Sequence, residues 1–195
     1  MSADLAPLIT SFSIIFLAEL GDKTQICTIM LSSKSSARSV FFGAMAAFFI
    51  VDGLSALLGG ELLYMLPRNV IGLAAGLTFI VLGIASLIRR KDSRDACKDV
   101  STSFFRAFSL IALMELGDKT QISSILLTAQ FGKPMLVLAG IMLAFTIITG
   151  MSVFLGHRIL RIMPEKFLRI GAAATFILLG LIQTIEMLFG INVPP

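Results

Sequence analysis

Tryptophan is absent from this chain of 195 residues, tyrosine occurs once (Tyr64), histidine once (His157) and cysteine twice (Cys27 and Cys97). With so few ring-bearing amphipathic residues, the aromatic belt that marks many membrane interfaces is nearly absent. The 16 phenylalanines are scattered through apolar stretches as packing or lipid-facing bulk. Cys27 lies in an apolar run and Cys97 in a charged loop, with no Cys-x-x-Cys and no apparent pairing. This argues against a thiolate site for a soft metal. A single histidine leaves no Ser-His or Cys-His pair, and no phosphate-binding loop is present, so an intramembrane enzyme is disfavoured. Charge is scarce as well, at 14% Asp, Glu, Lys and Arg, where soluble domains carry about 25%. Little remains from which to build a soluble domain. The N-terminal Met1-Ser2-Ala3-Asp4 has no basic segment, which argues against a cleaved signal peptide.

What the chain does have is apolar length. Hydrophobic residues make up 56%, and they gather in runs at roughly 8–31, 39–62, 69–88, 104–128, 134–156 and 167–189. Each reaches the roughly 20 residues that a membrane-spanning helix needs. The expected fold class is therefore an all-α integral membrane protein of six transmembrane helices. Pro67, Pro134 and Pro164 fall at or near predicted helix starts, where proline is tolerated. The net charge of +4 does not indicate nucleic acid, because the basic residues lie in short loops where they set orientation.

The sequence repeats itself. Glu19-Leu20-Gly21-Asp22-Lys23-Thr24-Gln25-Ile26 returns as Glu115-Leu116-Gly117-Asp118-Lys119-Thr120-Gln121-Ile122. Later matches are collinear one residue further on: Gly53 with Gly150, Ser55 with Ser152, Pro67 with Pro164, Phe79 with Phe176 and Gly83 with Gly180. This is internal duplication. The first unit covers 1–92, a linker 93–102 and the second unit 103–195. Three helices per unit is an odd number, so the second unit enters the membrane in the opposite sense, as in inverted-repeat transporters. Outside the motif, Lys34, Arg38, Arg89, Arg90, Lys91, Arg94, Lys98, Arg106, Arg158, Arg161, Lys166 and Arg169 fall on one side, and Arg68 and Lys133 on the other. The positive-inside rule places the first side, with the 89–103 segment, in the cytoplasm and both termini outside.

Glu19, Asp22, Glu115 and Asp118 fall near the centres of the first and fourth runs. A charge at the bilayer centre costs at least about 2.5–3.5 kcal/mol, so such residues mark pairing or a functional site. On a continuous helix, Glu and Asp at i and i+3 share a face, with Lys at i+4 beside them. Gly21 and Gly117 allow close helix approach or a local break. Thr24, Gln25, Thr120 and Gln121 add neutral oxygens. Two such faces brought together form an oxygen cage suited to a hard cation such as calcium, manganese or magnesium. Four carboxylates and two lysines sum to −2, which one divalent cation or two protons would neutralise. The four acids are thus candidates for both ligands and proton carriers, with Lys23 and Lys119 pairing with them. A buried salt-bridge cluster that merely packs the bundle is the bland alternative, and buried ion pairs are poor stability devices.

Other features are weaker. Asp52 has no acidic counterpart, since Thr149 stands at its repeat position. It is either a helix-packing residue or an auxiliary ligand. Ser55 and Ser152 match across the repeat and are auxiliary candidates. Glu61 and Glu186 lie near helix ends, and His157 reads as interfacial. Gly72 and Gly76 suit close packing within the bundle more than a dimer interface, and a homo-oligomer stays open.

At Glu19 to Thr24 and Glu115 to Thr120 the chain resembles the GDT family, defined by two E-x-G-D-[KR]-[TS] motifs and including the Golgi manganese and calcium transporters of eukaryotes. Both motifs match in full. The resemblance implies a cation/proton exchanger that exports manganese or calcium, with the motif acids as binding residues and no cofactor. The implied partners are the metal ion, protons and the lipid bilayer, with a prokaryotic plasma membrane as the location. The alternative reading is export of another small cationic solute, such as a basic amino acid. It is disfavoured because four converging carboxylates exceed what one ammonium group needs.

Overall fold

The computed structural model describes residues 5–34, 36–88, 103–155 and 165–189. These form eight α-helices and no strand: α1 (Ala6–Glu19), α2 (Lys23–Lys34), α3 (Ala37–Met65), α4 (Arg68–Ile88), α5 (Phe104–Glu115), α6 (Lys119–Phe131), α7 (Pro134–Leu155) and α8 (Glu165–Phe189). Three contain stretches long and apolar enough to cross a membrane by themselves: Ala37–Leu62, Asn69–Ile88 and Pro134–Phe154. The first and fourth apolar runs, expected as single helices, are each split in two. Leu20 and Leu116 leave the helix in an extended conformation. Gly21 and Gly117 then take φ of +82° and +75°, a left-handed geometry that any Cβ would disfavour. The chain re-enters a helix one residue later. The motif acids therefore do not share one continuous helical face. Each glutamate ends one helix, and each aspartate sits before the next.

One further expectation changes. Cys27, without an apparent partner in the sequence, is disulfide-bonded. Cys97, like the 93–102 linker, His157 and Pro164, lies outside the described residues.

Polarity is distributed inside out. Phe42, Leu57, Val81, Phe154, Leu178 and Leu188 are exposed, while Thr24, Gln25, Thr28, Asp52, Ser55, Thr120, Ser123, Ser124, Thr128, Thr149 and Ser152 are buried. A surface of bare aliphatic side chains around hydroxyls and carboxylates suits lipid rather than water as the surrounding medium.

Two pairs of equivalent helices, α3 with α7 and α4 with α8, pack against each other and run antiparallel. Along α3 and α7, Phe48 stacks on Phe145 with ring centroids 3.6 Å apart, and Phe41 meets Phe154 at 6.2 Å. Position numbers rise along one helix as they fall along the other. On α4 and α8, Gly72 lies against Met187, Phe79 against Phe176, and Gly83 against Ala173 and Ile177. Gly72 and Gly76 thus serve packing inside the bundle. A second matched pair locks α1 onto α7 and α5 onto α3. A Cβ on Gly140 would collide with Ser11 and the Leu8 carbonyl, and one on Gly43 would stand 2.8 Å from the Phe104 carbonyl. The helix crossings depend on these two glycines.

Candidate cation-binding site

The two helix breaks face each other at the centre of the bundle. Ending α1 and α5 at the glutamates leaves carbonyls without helical partners. Starting α2 and α6 beyond the aspartates aims the positive ends of two helix dipoles at the same place. Asp118 occupies the N-cap position of α6 yet makes no capping bond with its side chain. Its carboxylate is left available to the interior.

The glutamines restore part of what the breaks remove. Gln25 Oε1 accepts from the Gly21 N–H at 2.5 Å, and Gln121 Oε1 from the Gly117 N–H at 2.7 Å. The oxygens expected as extra cation ligands are committed to backbone in this conformation. Gln25 Nε2, the other half of that amide, is buried without an acceptor.

Side chains of the motif pair across the halves. Lys119 Nζ donates to Asp22 Oδ2 at 2.7 Å and lies 3.5 Å from Glu19 Oε1. Lys23 Nζ lies 3.3 Å from Asp118 Oδ2 and donates to the Met114 carbonyl at 3.0 Å. Thr24 Oγ1 donates to Glu115 Oε1 at 2.6 Å. Thr120 Oγ1 lies 3.0 Å from Glu115 Oε2 and 3.5 Å from Glu19 Oε1. One oxygen from each of Glu19, Asp22 and Asp118 falls within 4.8 Å of the others. Glu115 joins the same network through the two threonine hydroxyls. Glu19 and Glu115 are 2% and 1% exposed, so two glutamates sit in the interior with few cations to offset them. A void about the size of one water molecule borders the cluster. It is lined by Glu19, Thr24, Gln25, Thr28 and Phe48 of the first half and by Phe145, Ile148 and Thr149 of the second.

Ser55 and Ser152 are buried but turn back onto their own helices, each donating at 2.7 Å to a carbonyl one turn earlier, Val51 and Ile148. They do not join the cluster. Asp52 lies nearby, with its Oδ1 accepting from Ser124 Oγ at 2.6 Å. Sequence reasoning gave Ser124 no role. Its signal was its repeat counterpart Thr28, a second hydroxyl one turn beyond the motif.

Comparison with known proteins bears on this arrangement. The family of divalent cation/proton antiporters named GDT1 matches residues 7–94 and, a second time, 103–190. The chain belongs to the GDT1 family. Its two matched segments are the two halves that meet at the cluster. Among GDT1 relatives, a GDT1-like protein of Schizosaccharomyces pombe is 36% identical over 100 residues, covering 51% of this chain and 35% of its own. The chloroplastic protein PAM71 of Arabidopsis thaliana is 25% identical over 209 residues, covering 91% and 56%. A Vibrio cholerae protein named as a candidate manganese exporter is 27% identical over 181 residues, covering 91% and 90%. The chain thus spans from about a third to just over half of the length of the first eukaryotic relatives it matches. No solved structure matches it.

Proposed function

We propose that this protein exports a divalent hard cation, manganese or calcium, from the cytoplasm in exchange for protons. The ion would be held at mid-membrane by Glu19, Asp22, Glu115 and Asp118, with Thr24 and Thr120 as neutral oxygen donors. The observation that carries the reading is the convergence of both acidic motifs into one network around the buried Glu19 and Glu115, with Lys23 and Lys119 as its lysines among the described residues. In this reading six spans form two inverted units, 1–92 and 103–195, with α1–α2 and α5–α6 each a broken span. The antiparallel packing of α3 on α7 and of α4 on α8 supports it. Both termini lie outside by the loop charges, in a prokaryotic plasma membrane.

The mechanism follows from charge. With four carboxylates ionised and both lysines charged, the cluster carries −2. A divalent cation bound by the carboxylates neutralises it and displaces Lys119 from Asp22 and Lys23 from Asp118. Protons compete for the same oxygens, because metal ligands must be deprotonated. Binding therefore strengthens as pH rises and weakens as pH falls. Neutral states, either metal-loaded or protonated, cross between the two openings at lower cost than the empty charged cluster.

The test is transport by purified protein in proteoliposomes. A pH gradient should drive manganese against its concentration, and either Glu19→Gln or Glu115→Gln should lower the rate at least tenfold. Transport that ignores the pH gradient, or that survives both substitutions, would contradict the reading. Lysine competing as well as calcium would favour the alternative, export of a small cationic solute.

A further inference from the structure

Among the described residues, one carboxylate outside the motifs is buried as deeply as Glu19 and Glu115. Asp52 lies halfway along α3 and is 1% exposed. Ser124 donates to its Oδ1, but Oδ2 is buried with no hydrogen-bond donor. Among the described residues no cation pairs with it. From the neighbouring helices the carboxylate of Asp118 acts on it, and Asp52 acts in turn on Glu115. Asp118 Oδ2 is likewise buried without a hydrogen bond, having only Lys23 Nζ at 3.3 Å. An unpaired buried carboxylate costs several kcal/mol, so Asp52, with a vacant oxygen and no cation partner among the described residues, calls for a positive charge that visits it.

The position is also one-sided. In the repeat, Asp52 corresponds to Thr149 and Ser124 to Thr28. Thr28 and Thr149 line the water-sized void beside Glu19. Ser124 and Thr28 each lie five residues beyond the start of their helix, about 7.5 Å along it from the cluster. The α2 side of the cluster thus offers neutral hydroxyls and a void. The α6 side offers a carboxylate in tight packing, with Gly59 against the Ile125 carbonyl and Thr128.

Resting on the antiport reading above, we propose that Asp52 is a staging ligand for the divalent cation on the α6 side only. It accepts the ion from the cluster by way of Asp118 and passes it toward the α6–α7 connection. By the loop charges that is the outer side, so the step belongs to release. On the α2 side, Thr149 leaves the ion to approach in hydrated form.

Binding and exchange of manganese by the full chain separate the roles. Asp52→Asn keeps the shape of the side chain and the bond from Ser124. It should bind manganese in detergent within about threefold of wild type and exchange it across proteoliposomes at least tenfold more slowly. Asp52→Glu, which keeps the carboxylate, should retain exchange within about threefold. Wild-type exchange in Asp52→Asn would overturn the proposal. So would loss of manganese binding in a monodisperse Asp52→Asn protein, since Asp52 would then belong to the central site. Wild-type protein that fails to couple manganese to protons would instead sink the antiport reading itself.

Discussion

Thr24 and Thr120 come from opposite halves, and both hydroxyls point at Glu115, at 2.6 and 3.0 Å. They hold a carboxylate that has no lysine of its own among the ion pairs of the described residues, whereas Glu19 has Lys119. A hydrogen bond to a charged group contributes about 1.5–3 kcal/mol. Thr24→Val keeps the shape of the side chain and removes the hydroxyl. It should weaken manganese binding by about tenfold, while Thr24→Ser stays within about threefold. Titration with manganese followed by calorimetry checks both, and equal affinity in the valine variant would remove Thr24 from the site. The motif residues could be named from sequence because eight positions recur unchanged, and ionised groups in an apolar run need a reason. Who pairs with whom was not legible. A lysine four positions after a glutamate suggests a partner on the same helix, whereas Lys119 reaches Asp22 and Glu19 in the other half.

The broken helices explain that difference at the scale of elements. Hydropathy reports length and apolarity, and both survive a three-residue interruption, so runs 8–31 and 104–128 read as whole. Glycine between leucine and aspartate permits a break without requiring one. The break becomes favourable once Gln25 and Gln121 bond to the freed glycine N–H groups, a contact one turn away that no periodicity reveals. Gly117 provides a clean test, because no heavy atom lies within 4 Å of where its Cβ would stand. Gly117→Ala therefore meets only the left-handed backbone cost, about 1–2 kcal/mol. The variant should melt at lower temperature and lose manganese affinity, because a straightened α5–α6 would carry Asp118 away from Glu19. Thermal stability with and without manganese measures both effects. Unchanged melting would mean that the break carries no strain to relieve.

Across the whole molecule, the repeat made the architecture readable. An offset of 96 to 97 residues aligns Gly43 with Gly140, Phe48 with Phe145 and Phe79 with Phe176, and in the structure each matched pair occupies matched surroundings. The departures from symmetry were the hard part. Asp52 opposite Thr149 is one residue in a chain of near matches, and only the fold shows that it stands next to the cluster. The central claim is that two halves build one site. Counting bound manganese on purified protein tests it most directly, by equilibrium binding or by the paramagnetic signal of the free ion. The account predicts one tightly bound ion per chain, lost in Glu19→Gln and equally lost in Glu115→Gln. Two ions per chain, or one half's variant that retains full binding, would contradict it.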